Sequence, residues 1–93
     1  MVVGILRLTL LLRGSHSLKE KRRVVRGLKD RIRARFNVSV AEVDAQNSHQ
    51  RAELGVSMVS NDSVHVSTVF DKLVELARVA RGAELLDYDV EIL

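Results

Sequence analysis

Across three residues, Gly14-Ser15-His16, the hydrophobic period of the chain changes from two to about 3.6, and that switch limits what the chain can fold into. In residues 2–13, Val2, Leu6, Leu8, Leu10 and Leu12 share one parity, interrupted by Gly4. Val3, Ile5, Arg7, Thr9, Leu11 and Arg13 take the other. Side chains alternate across a strand, so this is a strand with one apolar face and one mixed face. It is long for a strand, which predicts a central place in a sheet. Beyond the switch, Leu18, Val25, Leu28, Ile32 and Phe36 recur at helical spacing, with Val24 beside them. Ser17 and Glu20 stand in the Ser-x-x-Glu pattern of a capping box, so a helix spans 17–36. Gly27 lies inside it at a cost of about 1 kcal/mol against Ala, which a close approach to the sheet would explain.

The same alternation of periods then repeats. Residues 37–44 are short and valine-rich and read as a strand, with Val38 and Val40 on one face and Val43 on the other. A bulge or an edge position accounts for that change of side. A polar loop at 45–50 leads to a third strand, 51–60, with Ala52, Leu54, Val56 and Met58 inward. The short connection predicts an antiparallel pair. Asn61-Asp62-Ser63 is a capping cluster for a second helix over 64–81, whose inward stripe is Val66, Val69, Phe70, Leu73, Ala77 and Ala80. Gly82 is its stop. The last strand, 84–93, places Leu86, Tyr88, Val90 and Ile92 on one face, and Leu85, Asp87, Asp89 and Glu91 on the other. The order strand, helix, strand, strand, helix, strand predicts an α+β, ferredoxin-like βαββαβ sandwich over 1–93. Right-handed crossovers put both helices on one face of a four-stranded antiparallel sheet, with the first and third strands central and the other face open.

Composition removes several chemistries. The chain has no cysteine, so thiolate catalysis, disulfides and cysteine-based metal sites are excluded. His16, His49 and His65 show no metal-ligand spacing, and no metal or cofactor is expected. The first twelve residues read as a buried strand rather than a signal peptide, no membrane segment is expected, and the expected location is the cytoplasm.

Charge is unevenly distributed. Of 15 Lys and Arg, nine lie in the first helix: Lys19, Lys21, Arg22, Arg23, Arg26, Lys29, Arg31, Arg33 and Arg35. The final strand carries Glu84, Asp87, Asp89 and Glu91 and no basic residue. Such asymmetry steers anionic partners to one face. At about 100° per residue, Lys19, Arg22, Arg26, Lys29 and Arg33 fall in one narrow arc beside the apolar stripe. Arg23 and Arg31 fall elsewhere, and Lys21 and Arg35 fall within the apolar arc, from which they are expected to snorkel. The five-residue arc is a candidate phosphate-contacting ridge, with salt-dependent and weakly sequence-specific binding. A solvated face of an Arg-rich chain is the plain alternative. Arg enrichment fits a heat-adapted source as well as phosphate contacts.

The open sheet face offers no aromatic platform of the kind that stacks bases, since Phe36, Phe70 and Tyr88 all take core positions. It does carry Val3, Ile5, Leu11, Val59 and Leu85, a candidate interface for a homo-oligomer or a protein partner. The loop at Gly14 precedes a helix N-terminus and could hold an anion. Acylphosphatases share the topology and use that loop for phosphate, but their glycine-rich signature is missing. His49 with Glu42, Asp44 and Asp87 could be drawn as an acid–base group, yet no spacing brings them together. No catalytic residue is assigned, and a non-enzyme is expected.

Three segments, SLKEKRRVV from Ser17, FNVSVAEVD from Phe36 and RAELGVSMVSND from Arg51, resemble the YlxP-like family of small bacterial proteins of uncharacterised function. The resemblance spans nearly the whole chain. It implies a ferredoxin-like fold and, through genes neighbouring those of translation initiation factor two and ribosome-binding factor A, a role in translation or ribosome maturation. It implies no catalytic residues. The expectation is therefore a binding module for structured RNA, ribosomal RNA above all. The alternative is a homodimer or other protein-interaction module working through the open sheet face.

Overall fold

A computed structural model describes residues 1–93. The elements run β1 (Val2–Leu11), α1 (Leu18–Arg35), β2 (Ser39–Asp44), β3 (Arg51–Ser60), α2 (Ser63–Arg78) and β4 (Glu84–Ile92). The strands form one sheet in the order β2-β3-β1-β4, with every neighbouring pair antiparallel. This is the expected ferredoxin-like arrangement, with β1 and β3 central. α2 stops at Arg78, three residues short of the predicted end, and Val79 is its C-cap.

Alternation in the central strands translates directly into packing. Leu6, Leu8, Leu10 and Leu12 are fully buried, with Val56, Leu54 and Ala52 opposite the first three and Met58 opposite Gly4. Val25, Leu28 and Ile32 of α1 and Val66, Phe70, Leu73 and Ala77 of α2 close over them. Each buried leucine is worth about 2 kcal/mol of apolar transfer. Val74 and Leu76 join the core although the predicted stripe omitted them. Gly4 interrupts the leucine row because α2 lies there: a Cβ at this position would collide with Val66 and sit 2.9 Å from Phe70 Cε2. Gly27, by contrast, faces open space and serves no close approach.

Two bulges reset side-chain direction. In β2 the register shifts between Glu42 and Asp44, which sets Asp44 opposite Glu53, while Val43 lies on the open face over Gly55 by simple alternation from Glu42. Val40 and Glu42 stay on the helix side. In β4 the register shifts against Thr9/Leu10, so that Leu85 rather than Leu86 pairs with Leu10. Leu85 is therefore on the helix side and packs against the core, which corrects its expected place on the open face. Tyr88, Val90 and Ile92 do face the helix layer, opposite Leu8, Leu6 and Gly4. They are not buried: Leu86, Tyr88, Val90 and Ile92 remain 43%, 44%, 40% and 39% exposed. Tyr88 is thus no core aromatic, and its ring lies 5.7 Å beneath the Arg78 guanidinium, within cation–π range.

Candidate functional site

The first helix begins where its capping box starts it. Ser17 Oγ accepts from the Glu20 N–H at 3.1 Å, and the Glu20 carboxylate accepts from the His16 N–H at 2.6 Å. The carboxylate thereby occupies the loop amide that an external anion would need. Arg13 Nε, on the same loop, is engaged by Glu84 Oε2 at 2.9 Å.

Lys21 does not snorkel. It is 1% exposed, with Nζ 2.7 Å from Glu42 Oε2 and donating to the Ala45 carbonyl at 2.6 Å. The contact with Glu42 is a charge pair more than an aligned hydrogen bond, since Glu42 Oε2 has no donor in good geometry. Burial of both groups keeps their attraction strong and makes each costly to leave alone. Ala45 takes the left-handed conformation, φ +62, at the turn after β2, and its carbonyl also accepts from the Ser48 N–H at 3.0 Å. Lys21 thus ties α1 to the turn between β2 and β3.

With Lys21, Val25, Leu28 and Ile32 turned inward, the candidate ridge faces outward on the β2 side. Lys19, Arg22 and Arg26 come together with Arg23 around one shallow depression of about 490 Å³ that contains no apolar residue. Arg23 lies outside the narrow arc on the wheel, but a guanidinium on a flexible stem spans the ~40° that separates it from Lys19. Lys29 continues the row and is half-buried. Arg33 is differently employed. Its Nη2 donates to the Val40 carbonyl at 3.0 Å and its Nη1 lies 3.7 Å from Asp30. The ion pairs of the molecule are Arg13–Glu84, Lys21–Glu42, Arg33–Asp30 and Arg78–Glu75. Lys19, Arg22, Arg23, Arg26 and Lys29 take part in none.

The other candidate residues separate. Val3 and Val59 are cross-strand neighbours on the open face, with Ile5 next along β1. Val59 is 64% exposed. Leu11 lies about 20 Å further along the strand, and Leu85 is on the opposite face. Glu42 is paired with Lys21, Asp44 caps the Ala45 N–H at 2.7 Å, and Asp87 stands on the far edge strand, so no acid–base group forms around His49. A cleft of about 640 Å³ lies between the end of α1 and α2 and mixes Arg35 and Lys72 with Asp71 and Glu75 over Phe36, Leu76 and Val79. No group of His, Asp and Glu in the structure is arranged to hold a metal ion, and no helix is long and apolar enough to cross a membrane.

Comparison with known proteins agrees with the fold. The designed protein Foldit4 superposes with a TM-score of 0.54 at 10% identity, covering 100% of this chain and 97% of that one. The designed ferredoxin-fold protein LFR1 1 gives 0.50 at 9% identity, covering 100% and 84%. A C-terminal segment of the α subunit of aIF2 from Pyrococcus abyssi gives 0.54 at 16% identity, covering 99% of this chain and 49% of that one. At such identities the likeness concerns the fold alone. In sequence, the chain is 42% identical over 48 residues to the uncharacterized protein YlxP of Bacillus subtilis (strain 168), an alignment spanning 52% of each protein. A family model described as protein of unknown function, DUF503, matches residues 3–90. The chain therefore belongs to the DUF503 family, a YlxP-like bacterial family whose function is unknown.

Proposed function

We propose that this protein is a non-enzymatic module that contacts structured RNA, ribosomal RNA above all, through the outer face of α1, in a translation or ribosome-maturation role. The observation that carries the reading is the cluster of Lys19, Arg22, Arg23 and Arg26 around one polar depression, none of them held by a carboxylate. A cationic row on a rigid helix suits phosphate oxygens, because every contact releases condensed counterions and needs no base edge. The choice of RNA over other polyanions rests on the gene neighbourhood that the family resemblance implies. Arg33 contributes less than its place in the arc suggests, since its guanidinium is committed to Val40 and Asp30.

Fluorescence anisotropy with a labelled ribosomal RNA fragment, across a salt series, tests the reading. Five phosphate contacts predict a log–log salt slope of about −4. Joint reversal of Arg22, Arg23 and Arg26 to Glu abolishes binding, whereas Arg33→Ala weakens it only slightly. Absence of low-salt affinity, or affinity unchanged by the triple reversal, removes the proposal.

A second reading has its own observation. Val3, Ile5 and the strongly exposed Val59 form an apolar patch on the open face, which suits self-association. Light scattering on the wild type and on Val59→Asp tests it. A concentration-dependent dimer lost in the variant supports it, and a strict monomer at high concentration rejects it.

A further inference from the structure

The two edges of the sheet are finished differently. In an antiparallel ladder, residues alternate between pairs that exchange both hydrogen bonds and pairs that exchange none. Leu12 N–H bonds to the Gln50 carbonyl, which fixes the alternation of β1 against β3. It follows that Val40 and Glu42 of β2 point their backbone groups away from the sheet. Side chains take both of those carbonyls: Arg33 donates to Val40 at 3.0 Å and Gln46 donates to Glu42 at 3.4 Å.

On the opposite edge, Val3 and Leu93 exchange both bonds, at 3.1 and 2.8 Å. Carried along the register, this turns the backbone groups of Tyr88, Val90 and Ile92 outward. Asp87 caps the Tyr88 N–H at 2.9 Å and so closes the edge at that end. The N–H and C=O groups of Val90 and Ile92 have no protein partner. The side chains of these same residues form the half-exposed apolar row beside α2. On the other face of the strand, Asp87, Asp89 and Glu91 join no ion pair, and the cation nearest in register is Arg7, which shares a small depression with Asp89 and Glu91.

We infer that β4 is a docking edge for an extended segment of another protein in which apolar residues alternate with Lys or Arg. Such a segment adds a strand antiparallel to β4 and completes the bonds of Val90 and Ile92. Its apolar residues continue the exposed row, and its basic residues lie opposite Asp89 and Glu91, because side chains alternate with period two. A second copy of this chain does not fit. Antiparallel pairing of β4 with its own image, centred on any residue from Asp87 to Glu91, sets carboxylates against carboxylates. The acidic row thus discourages self-pairing and favours a basic partner. This edge is on the far side of the sheet from the α1 ridge, so the inference stands independently of RNA binding.

Titration of the intact protein with a short blocked peptide alternating valine and lysine, followed by amide NMR and hydrogen exchange, tests it. The expected result is saturable shifts centred on β4 with new protection of the Val90 and Ile92 amides. A valine–glutamate peptide leaves β4 unchanged. Joint reversal of Asp89 and Glu91 to Lys weakens the lysine peptide about tenfold or more, since two attractive cross-strand pairs become repulsive. Val90→Pro removes an outward N–H while sparing the ladder to β1, and abolishes binding with the amide spectrum of β1 and β3 retained. Should that variant not fold, the charge reversal decides alone. The inference is overturned by no β4 shifts at millimolar peptide or by equal binding of the acidic peptide. Shifts unaffected by the reversal, or Val90 protection arising from self-association without peptide, overturn it equally.

Discussion

Replacing Lys21 by methionine keeps the length of the side chain and deletes the ammonium. In the folded protein that ammonium is sealed from water, 2.7 Å from Glu42 Oε2, whose side chain is 17% exposed. Removing one member of a buried ion pair costs about 3–5 kcal/mol, because the other charge remains without compensation. Residual exposure of Glu42 sets the expected cost at the low end, about 3 kcal/mol. The Ala45 carbonyl adds little, since it keeps the Ser48 N–H at 3.0 Å. For a domain of this size, about 3 kcal/mol lowers Tm by roughly 12–24 °C. Adding Glu42→Leu removes the stranded carboxylate and fills the same space with methylene groups. The double variant is expected to return to within about 1 kcal/mol of the wild type, as apolar replacements of buried pairs commonly do. Urea unfolding of the wild type, the two single variants and the double variant closes the cycle and yields a coupling of at least about 2 kcal/mol. A Lys21→Met cost below about 1 kcal/mol, or a double variant as unstable as the sum of the singles, refutes the reasoning.

Two further substitutions separate glycines that look alike in sequence. Gly4→Ala drives a methyl group into Val66 and Phe70 and is expected to cost about 1–3 kcal/mol, whereas Gly27→Ala enters open space and stabilises α1 by about 1 kcal/mol; thermal melts of both variants check the opposite signs. Ser17→Ala removes the acceptor of the Glu20 N–H and is expected to cost about 1 kcal/mol in urea unfolding, with the loss of protection confined to the first turn of α1 in hydrogen exchange.

Element order and the central strands were legible because each rests on a local period: Leu6, Leu8, Leu10 and Leu12 alternate without ambiguity, and Ser17 with Glu20 marks the helix start. What escaped depends on partners distant in sequence. The doublet Leu85-Leu86 offers an apolar residue to either face, so one bulged residue decides which is inward, and only pairing with Leu10 reveals it. Tyr88, Val90 and Ile92 have the parity of a buried row. Their exposure follows from two helices covering four strands, with α2 reaching only part of the outer strand. The burial of Lys21 did have a signal: Glu42 shares the parity of Val40, which points a carboxylate beneath α1 where the wheel points an ammonium. Arg23 was missed because an angular criterion measures the Cα–Cβ direction and not the reach of a guanidinium.

The cations of α1 therefore fall into two sets, and geometry separates them. Lys21 and Arg33 are anchors, one near each end of α1, and both attach to the β2 edge: to Glu42 and Ala45, and to Val40. Lys19, Arg22, Arg23, Arg26 and Lys29 lie outside these attachments. The anchors set the tilt of the helix over β2, while Val25, Leu28 and Ile32 set its rotation by burial. On the proposed RNA-binding reading, the Lys21→Met/Glu42→Leu protein, with stability restored, should bind the ribosomal RNA fragment as the wild type does, since the rotation that presents the ridge is unchanged. A loss of affinity in that stable protein would show that the buried pair, and not the apolar stripe, holds the ridge in its binding orientation.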